Sequence, residues 1–171
     1  KWIANPQNPL TARVMVNRVW RWVFGEGIVS TPSDFGHQGA LPTHPELLDW
    51  LANEFIRSSW SVKHMLRLML NSSTFQQSSL PRAQAMAKDA GNQWLWRFAP
   101  RRLDAEDVRD GMLALAGTLD LHMGGPGFSV FEPNDNYTRI YKPKASFGKK
   151  EWRRMIYMTR IRVAKDSTFG A

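Results

Sequence analysis

Arg13, Asn17 and Arg21 recur at every fourth residue between Pro9 and Gly25, with Arg18 beside them. On a helix that spacing stacks side chains in one row, and guanidinium groups there could grip a carboxylate or phosphate through paired N–H donors. The four residues form a candidate anion clamp. The competing expectation is that the arginines pair with acids from neighbouring elements, such as Asp34 or Asp49. Asp34, His37, His44 and Glu46 make the densest titratable group near one loop, and imidazole with carboxylate suits acid–base work or a borderline cation. Their spacing matches no metal-ligand pattern, so neither a metal nor a catalytic residue is assigned.

Other reactive machinery is excluded by residue type or spacing. The chain has no cysteine, which removes disulfides, thiolate nucleophiles, iron–sulfur ligation and covalent haem attachment from this segment. Asp34-Phe35-Gly36 has the letters of the kinase metal motif but neither a Gly-rich phosphate loop nor a catalytic loop around it. Gly25-Glu26-Gly27 and Gly124-Gly125-Pro126-Gly127 lack the dinucleotide and P-loop spacings and read as turns.

Charge is the clearest bulk signal. Residues 1–138 carry 13 Lys/Arg against 13 Asp/Glu, so the net charge of +8 lies wholly in residues 139–171. Lys142, Lys144, Lys149, Lys150, Arg153, Arg154, Arg160 and Arg162 are the candidate polyanion-binding residues there, interleaved with Tyr137, Tyr141, Phe147 and Trp152. Such a surface holds polyanions chiefly by counterion release, with steep salt dependence. Nucleic acid fits the charge, but no nucleic-acid fold signature is present. The opposing reading is a solvated face, or a seam that packs on an acidic segment.

These residues must be held by helices. The pattern predicts a helix over 9–24, opened by Pro9 and stopped by Gly25, with Ala12, Met15, Val16, Val19, Trp22 and Val23 on its apolar side. Thr43-His44-Pro45-Glu46 has the form of a capping box before the Leu47, Leu48, Leu51, Phe55 stripe. Ser61 caps a third helix carrying Val62, Met65, Leu66 and Met69. A fourth helix is expected over 81–98, broken near Gly91. A fifth runs from Arg102 to Leu121 with a narrow buried face at Ala105, Val108, Met112, Leu115, Ala116 and Leu119. A short strand is expected at Tyr137–Tyr141 and another from Ile156 onward. At least six of the eight tryptophans are expected to be buried beside aliphatic stripes, with one of Trp94 and Trp96 exposed; an exposed indole could stack on a sugar ring. The fold class is therefore mainly α: an irregular multi-helix bundle of four to six helices with a small β element near 137–163. The length suits one domain over 1–171, with 132–171 a basic, irregular C-terminal segment, and the chain reads as a fragment of a larger multidomain protein. No run of about 18 apolar residues is present to span a bilayer.

Longer words carry a resemblance. Asn8-Pro9-Leu10-Thr11-Ala12-Arg13-Val14-Met15-Val16-Asn17-Arg18-Val19-Trp20, then Phe24-Gly25-Glu26-Gly27-Ile28-Val29, Pro32-Ser33-Asp34-Phe35-Gly36 and Pro42-Thr43-His44-Pro45-Glu46-Leu47-Leu48-Asp49-Trp50-Leu51 lead the series. Trp60-Ser61-Val62-Lys63-His64, Arg101-Arg102-Leu103-Asp104-Ala105-Glu106 and Gly124-Gly125-Pro126 continue it. Together these resemble a domain of unknown function found C-terminally in large exported planctomycete-type proteins that often carry cytochrome c domains. The resemblance covers roughly residues 5–131 and again 153–171. It implies an exported, periplasmic setting and a multidomain parent, and it carries over no established activity; with no Cys-x-x-Cys-His present, no cofactor is expected on this chain and any haem would sit on other domains. In that setting a sulfated or uronic polysaccharide suits the basic end better than nucleic acid, and the parent's other domains are the remaining partners. The leading expectation is a non-catalytic helical module that scaffolds its neighbours and binds an anionic polymer. The alternative is a hydrolase or redox-linked enzyme domain whose site centres on Arg13, Asn17, Asp34, His37 and His44.

Overall fold

The first helix starts where an amide side chain and a proline cooperate. In the computed structural model, which describes residues 2, 3, 5, 7–133 and 140–161, the Asn8 carboxamide oxygen accepts from Leu10 N at 2.9 Å and Thr11 N at 3.4 Å. Pro9 occupies the first turn, where its missing N–H is no loss. The helix, α1 (Pro9–Phe24), ends at Gly25, whose φ of 91° a side chain would resist. Ala12, Val16, Val19 and Val23 are buried, as the apolar period requires. Trp22 departs from it: its ring is 58% exposed, and Trp20 is the buried indole, stacked on Phe24 at 4.0 Å between ring centroids.

Two further helices complete the core of the Lys1–Arg101 unit. Helix α2 (Pro45–Arg57) buries Leu48, Leu51, Ala52 and Phe55; helix α3 (Val62–Leu70) buries Met65 and Met69. Both pack on α1 and on each other. Ser61 caps α3 as expected, accepting from His64 N at 3.2 Å. The expected capping box on α2 does not form. His44 takes the N-cap position without a side-chain bond to the helix, because the Thr43 hydroxyl and amide both donate to Ile28 O, at 3.3 and 2.9 Å. The α2–α3 turn runs through two left-handed residues, Ser59 (φ 56°) and Trp60 (φ 62°), a conformation that bulky side chains seldom adopt. Trp60 packs edge-on against Phe55 at 5.2 Å.

The fourth helix is far shorter than 81–98. Helix α4 (Ala83–Lys88) stops at Asp89, whose buried carboxylate accepts from Gln93 N at 3.0 Å and Trp94 N at 2.8 Å. That carboxylate offers the backbone an alternative to helix and folds the following residues into a loop. Trp96 donates its indole N–H to Asp89 O at 2.8 Å within the same loop.

The second unit, Arg102–Ala171, is mostly irregular. Helix α5 (Ala105–Leu115) is shorter than expected and none of its residues is buried; Met112 is 60% and Leu115 93% exposed. The expected buried face is corrected by its neighbours: α5 presents Arg109 and Asp110, not its apolar stripe, to the 151–155 segment. Arg109 donates to Arg153 O and Glu151 O, while Asp110 accepts from Met155 N at 2.7 Å. That last bond also explains why no strand begins at Ile156. Met155–Tyr157 closes instead into a single 3-10 turn, with Tyr157 N donating to Arg154 O at 3.0 Å. Three isolated bridges (Asp120 with Arg153, Phe128 with Met158, Phe131 with Pro143) are the β pairing among the described residues, which form no sheet. Of the other expected strand, 137–139 lie outside the described residues, and Ile140 and Tyr141 belong to no strand. A small apolar cluster of Phe128, Val130 and Phe131 forms this unit's core. The fold is mainly α, and no helix among the described residues is long and apolar enough to cross a membrane.

The tryptophans run against expectation. Only Trp20 is buried; Trp96 and Trp152 are half-buried, and Trp2, Trp22, Trp50, Trp60 and Trp94 are exposed. Trp94 and Trp96 do differ as expected, Trp96 lying beneath the Arg97 guanidinium at 4.8 Å. A large indole on a small domain can touch the apolar stripe with one edge and still keep most of its area in water.

Candidate functional site

Helices α1, α2 and α3 leave an open groove of about 540 Å³. Its floor is built from core side chains: Trp20, Leu51 and Met69, each at most 6% exposed. Trp50 of α2, half-exposed, forms one wall. His64, Arg67 and Leu68 of α3 form another, and Asn71, Ser72 and Thr74 of the following turn complete it. The wall is braced between helices, since His64 Nε2 lies 2.9 Å from Glu54 Oε1 of α2. Ser72 is committed to the turn, donating to Met69 O at 2.6 Å and accepting from Phe75 N at 3.2 Å. A second cavity, of about 370 Å³, lies at the C-terminal end of α1, between loop residues such as Gly27, Ile28 and Thr43 and the 91–99 loop.

None of the candidate clamp, loop or polyanion residues lines either cavity. Arg13 Nε donates to Asp49 Oδ1 at 2.6 Å, the acid pairing that opposed the clamp. That bond from Arg13 lowers the Asp49 carboxyl pKa, and reciprocally raises that of the guanidinium. Asn17 is fully buried and faces inward, not along a surface row with Arg13 and Arg21. Its Nδ2 donates to Val29 O at 3.0 Å and its Oδ1 accepts from Val29 N at 2.9 Å. Arg18 and Arg21 are exposed. The clamp row is thus split between solvent, an ion pair and the core.

The loop residues are likewise occupied or dispersed. Asp34 Oδ1 accepts from Gly36 N at 2.9 Å within its own turn, and His37 is exposed. His44 Nδ1 meets the Thr43 hydroxyl at 3.0 Å. Among the described residues no three His, Asp or Glu side chains gather into a group that would hold a metal ion.

At the basic end, half of the candidate polyanion residues already have partners. Arg154 pairs with Asp110 at 3.3 Å and Arg160 with Glu106. Arg153 is buried, donating to Pro126 O, Gly124 O and, at 3.2 Å, His122 O, with its guanidinium 3.9 Å over the Tyr157 ring. Lys144 Nζ lies 2.7 Å from Glu151 Oε1. Lys142, Lys149 and Lys150 are exposed, and Arg162 lies outside the described residues.

The Lys144–Glu151 pair gives a pH signature. The lysine, followed by the Gly148 N–H at 2.8 Å, holds the buried Glu151 carboxyl below the usual carboxylate range. A carboxyl depressed in the folded state contributes stability that is full above its unfolded pKa and is lost as pH falls through the folded value. Lys144→Gln should therefore be less stable than the parent chain at neutral pH, and the gap should close in strong acid. Urea unfolding at both pH values measures this; a gap of constant size would show that the ion pair is not its source.

His64 and Arg67 escaped the reading from spacing, although His64, Arg67 and Asn71 stand at i, i+3 and i+7 beside an apolar stripe. A row of polar groups bordering apolar neighbours on one short helix was the available signal. No curated protein and no solved structure matches this chain. Its sequence matches over residues 1–171, and the chain belongs to, the family PSD1, described as Protein of unknown function (DUF1553).

Proposed function

We propose that this chain is a non-catalytic helical module of an exported, periplasmic bacterial protein, scaffolding the domains beside it, with only a weak hold on anionic polymers. The supporting observation is the internal use of the basic residues: Arg153, Arg154, Arg160 and Lys144 tie the irregular Arg102–Ala171 unit together through carbonyls and carboxylates. A cation already bonded to protein must break that bond to meet a ligand, which cancels most of the gain. The exposed Lys142, Lys149 and Lys150 remain for an acidic polysaccharide. The resemblance to exported, cytochrome c-bearing proteins supports the setting, in which any haem would belong to other domains.

Salt dependence separates a few available cations from many. Each released counterion contributes about 0.9 to the log–log slope on the duplex-DNA scale, so the three exposed lysines among the described candidates contribute about 3 where all eight candidates would give about 7. We expect weak retention on a heparin column, released at low salt and lost in the Lys142→Gln, Lys149→Gln, Lys150→Gln triple variant. Strong retention that survives this variant would overturn the reading.

A further inference from the structure

We infer that the α1–α2–α3 groove is a binding site for a small amphipathic anion, an apolar body carrying one carboxylate. Its volume of about 540 Å³ falls within the roughly 300–1,000 Å³ of small-molecule sites. The floor of Trp20, Leu51 and Met69 belongs to the packed core, so the apolar surface is preformed and needs no ordering upon binding. Trp50 adds an aromatic wall that stays half-exposed.

The charge at this groove has one sign. No Asp or Glu lines it. His64 is tied to Glu54, which leaves Arg67 as the lining cation without an acidic partner among the described residues. Arg67 stands in the last turn of α3, where the helix carbonyls are the competing attraction. Two of those carbonyls are already capped: Asn71 N donates to Arg67 O at 3.0 Å and Ser72 N to Met69 O at 3.1 Å. The guanidinium is available to take a carboxylate through two parallel N–H bonds. A neutral sugar fits less well. Ser72 is engaged on both sides, so Asn71 and Thr74 are the neutral polar side chains left on this wall, too few to replace the water around several hydroxyls. A cation is disfavoured by Arg67 itself.

Phenylbutyrate, phenylbutanol and phenylbutylamine share one apolar body and differ in head group, so titrating each into the whole chain by calorimetry tests the assignment. The acid should bind at one saturable site, about tenfold more tightly than the alcohol, as expected for a charge-assisted bond, and more tightly still than the amine. Arg67→Gln should reduce the acid to the alcohol's affinity and leave the alcohol unchanged. Trp50→Ala should weaken acid and alcohol alike. Both side chains are exposed, so the variants should melt as the parent does. Equal affinity for all three head groups, undiminished acid binding by Arg67→Gln, or no saturable binding of the acid would each overturn the proposal.

Discussion

Asn17→Ala should destabilise the Lys1–Arg101 unit by about 3–5 kcal/mol, the largest single-residue loss expected outside the apolar core. Asn17 and Val29 exchange two hydrogen bonds in the interior, one side chain satisfying both the N–H and the C=O of a single residue. Alanine would leave both backbone groups buried and unpaired, at about 1–3 kcal/mol each, and would add a small cavity. Water does not reach the site easily, since Asn17 is 0%, Val29 1% and Ile28 2% exposed. The loop carrying Ile28 and Val29 therefore owes its place over α1 to this amide. Gly27 shows how close the approach is: a Cβ there would stand 2.6 Å from Val29 O and 2.9 Å from Asn17 Nδ2. Asn17→Asp should be no better than alanine, because a carboxylate would accept from Val29 N but oppose Val29 O while burying charge. Urea unfolding read by fluorescence measures both variants. A loss below about 1 kcal/mol would mean that the Thr43 bonds to Ile28 O suffice to hold the loop.

The same residue shows what spacing could and could not convey. Periodicity located α1, α2 and α3 because their apolar positions recur locally, and Pro9, Ser61 and Gly25 mark ends by backbone rules that need no distant partner. Asn17 fails that logic. A polar residue between two arginines at helical spacing reads as surface, and only the loop twelve residues later turns it inward. Thr43 fails similarly, drawn from the capping box by the carbonyl of Ile28. Asp89 shortens α4 through amides that follow it, and Asp110 pulls Met155–Tyr157 out of an extended path from a distance of 45 residues. In each case a side chain that could serve a local cap or strand is claimed by a backbone group, and the winner depends on tertiary placement. The groove was illegible for a related reason. Its floor consists of ordinary core residues, and nothing local tells that three apolar stripes will leave a gap where they meet.

Arg153→Met should destabilise the Arg102–Ala171 unit by about 2–4 kcal/mol, second only to the loss at Asn17. Methionine retains much of the side chain's apolar length but none of its donors. The carbonyls of His122, Gly124 and Pro126 would lose the guanidinium that gathers them, and Tyr157 would lose the cation 3.9 Å above its ring. The loss stays below a full sum of three charged bonds because residues 121–127 are exposed and water can reach their carbonyls after the loop opens. The guanidinium is itself imperfectly housed, with Nε buried and unpartnered among the described residues. Arg153→Lys should recover less than half of the loss, since a point ammonium cannot span carbonyls that a planar fork reaches from two nitrogens. Amide exchange across His122–Gly127 should quicken in the methionine variant, and exchange as slow as in the parent chain would refute the role. The consequence reaches the polyanion question. Any loss of heparin retention in a variant lacking Arg153 reports a loosened loop as readily as a missing contact, so among the described candidates Lys142, Lys149 and Lys150, exposed and outside this framework, test the basic surface cleanly.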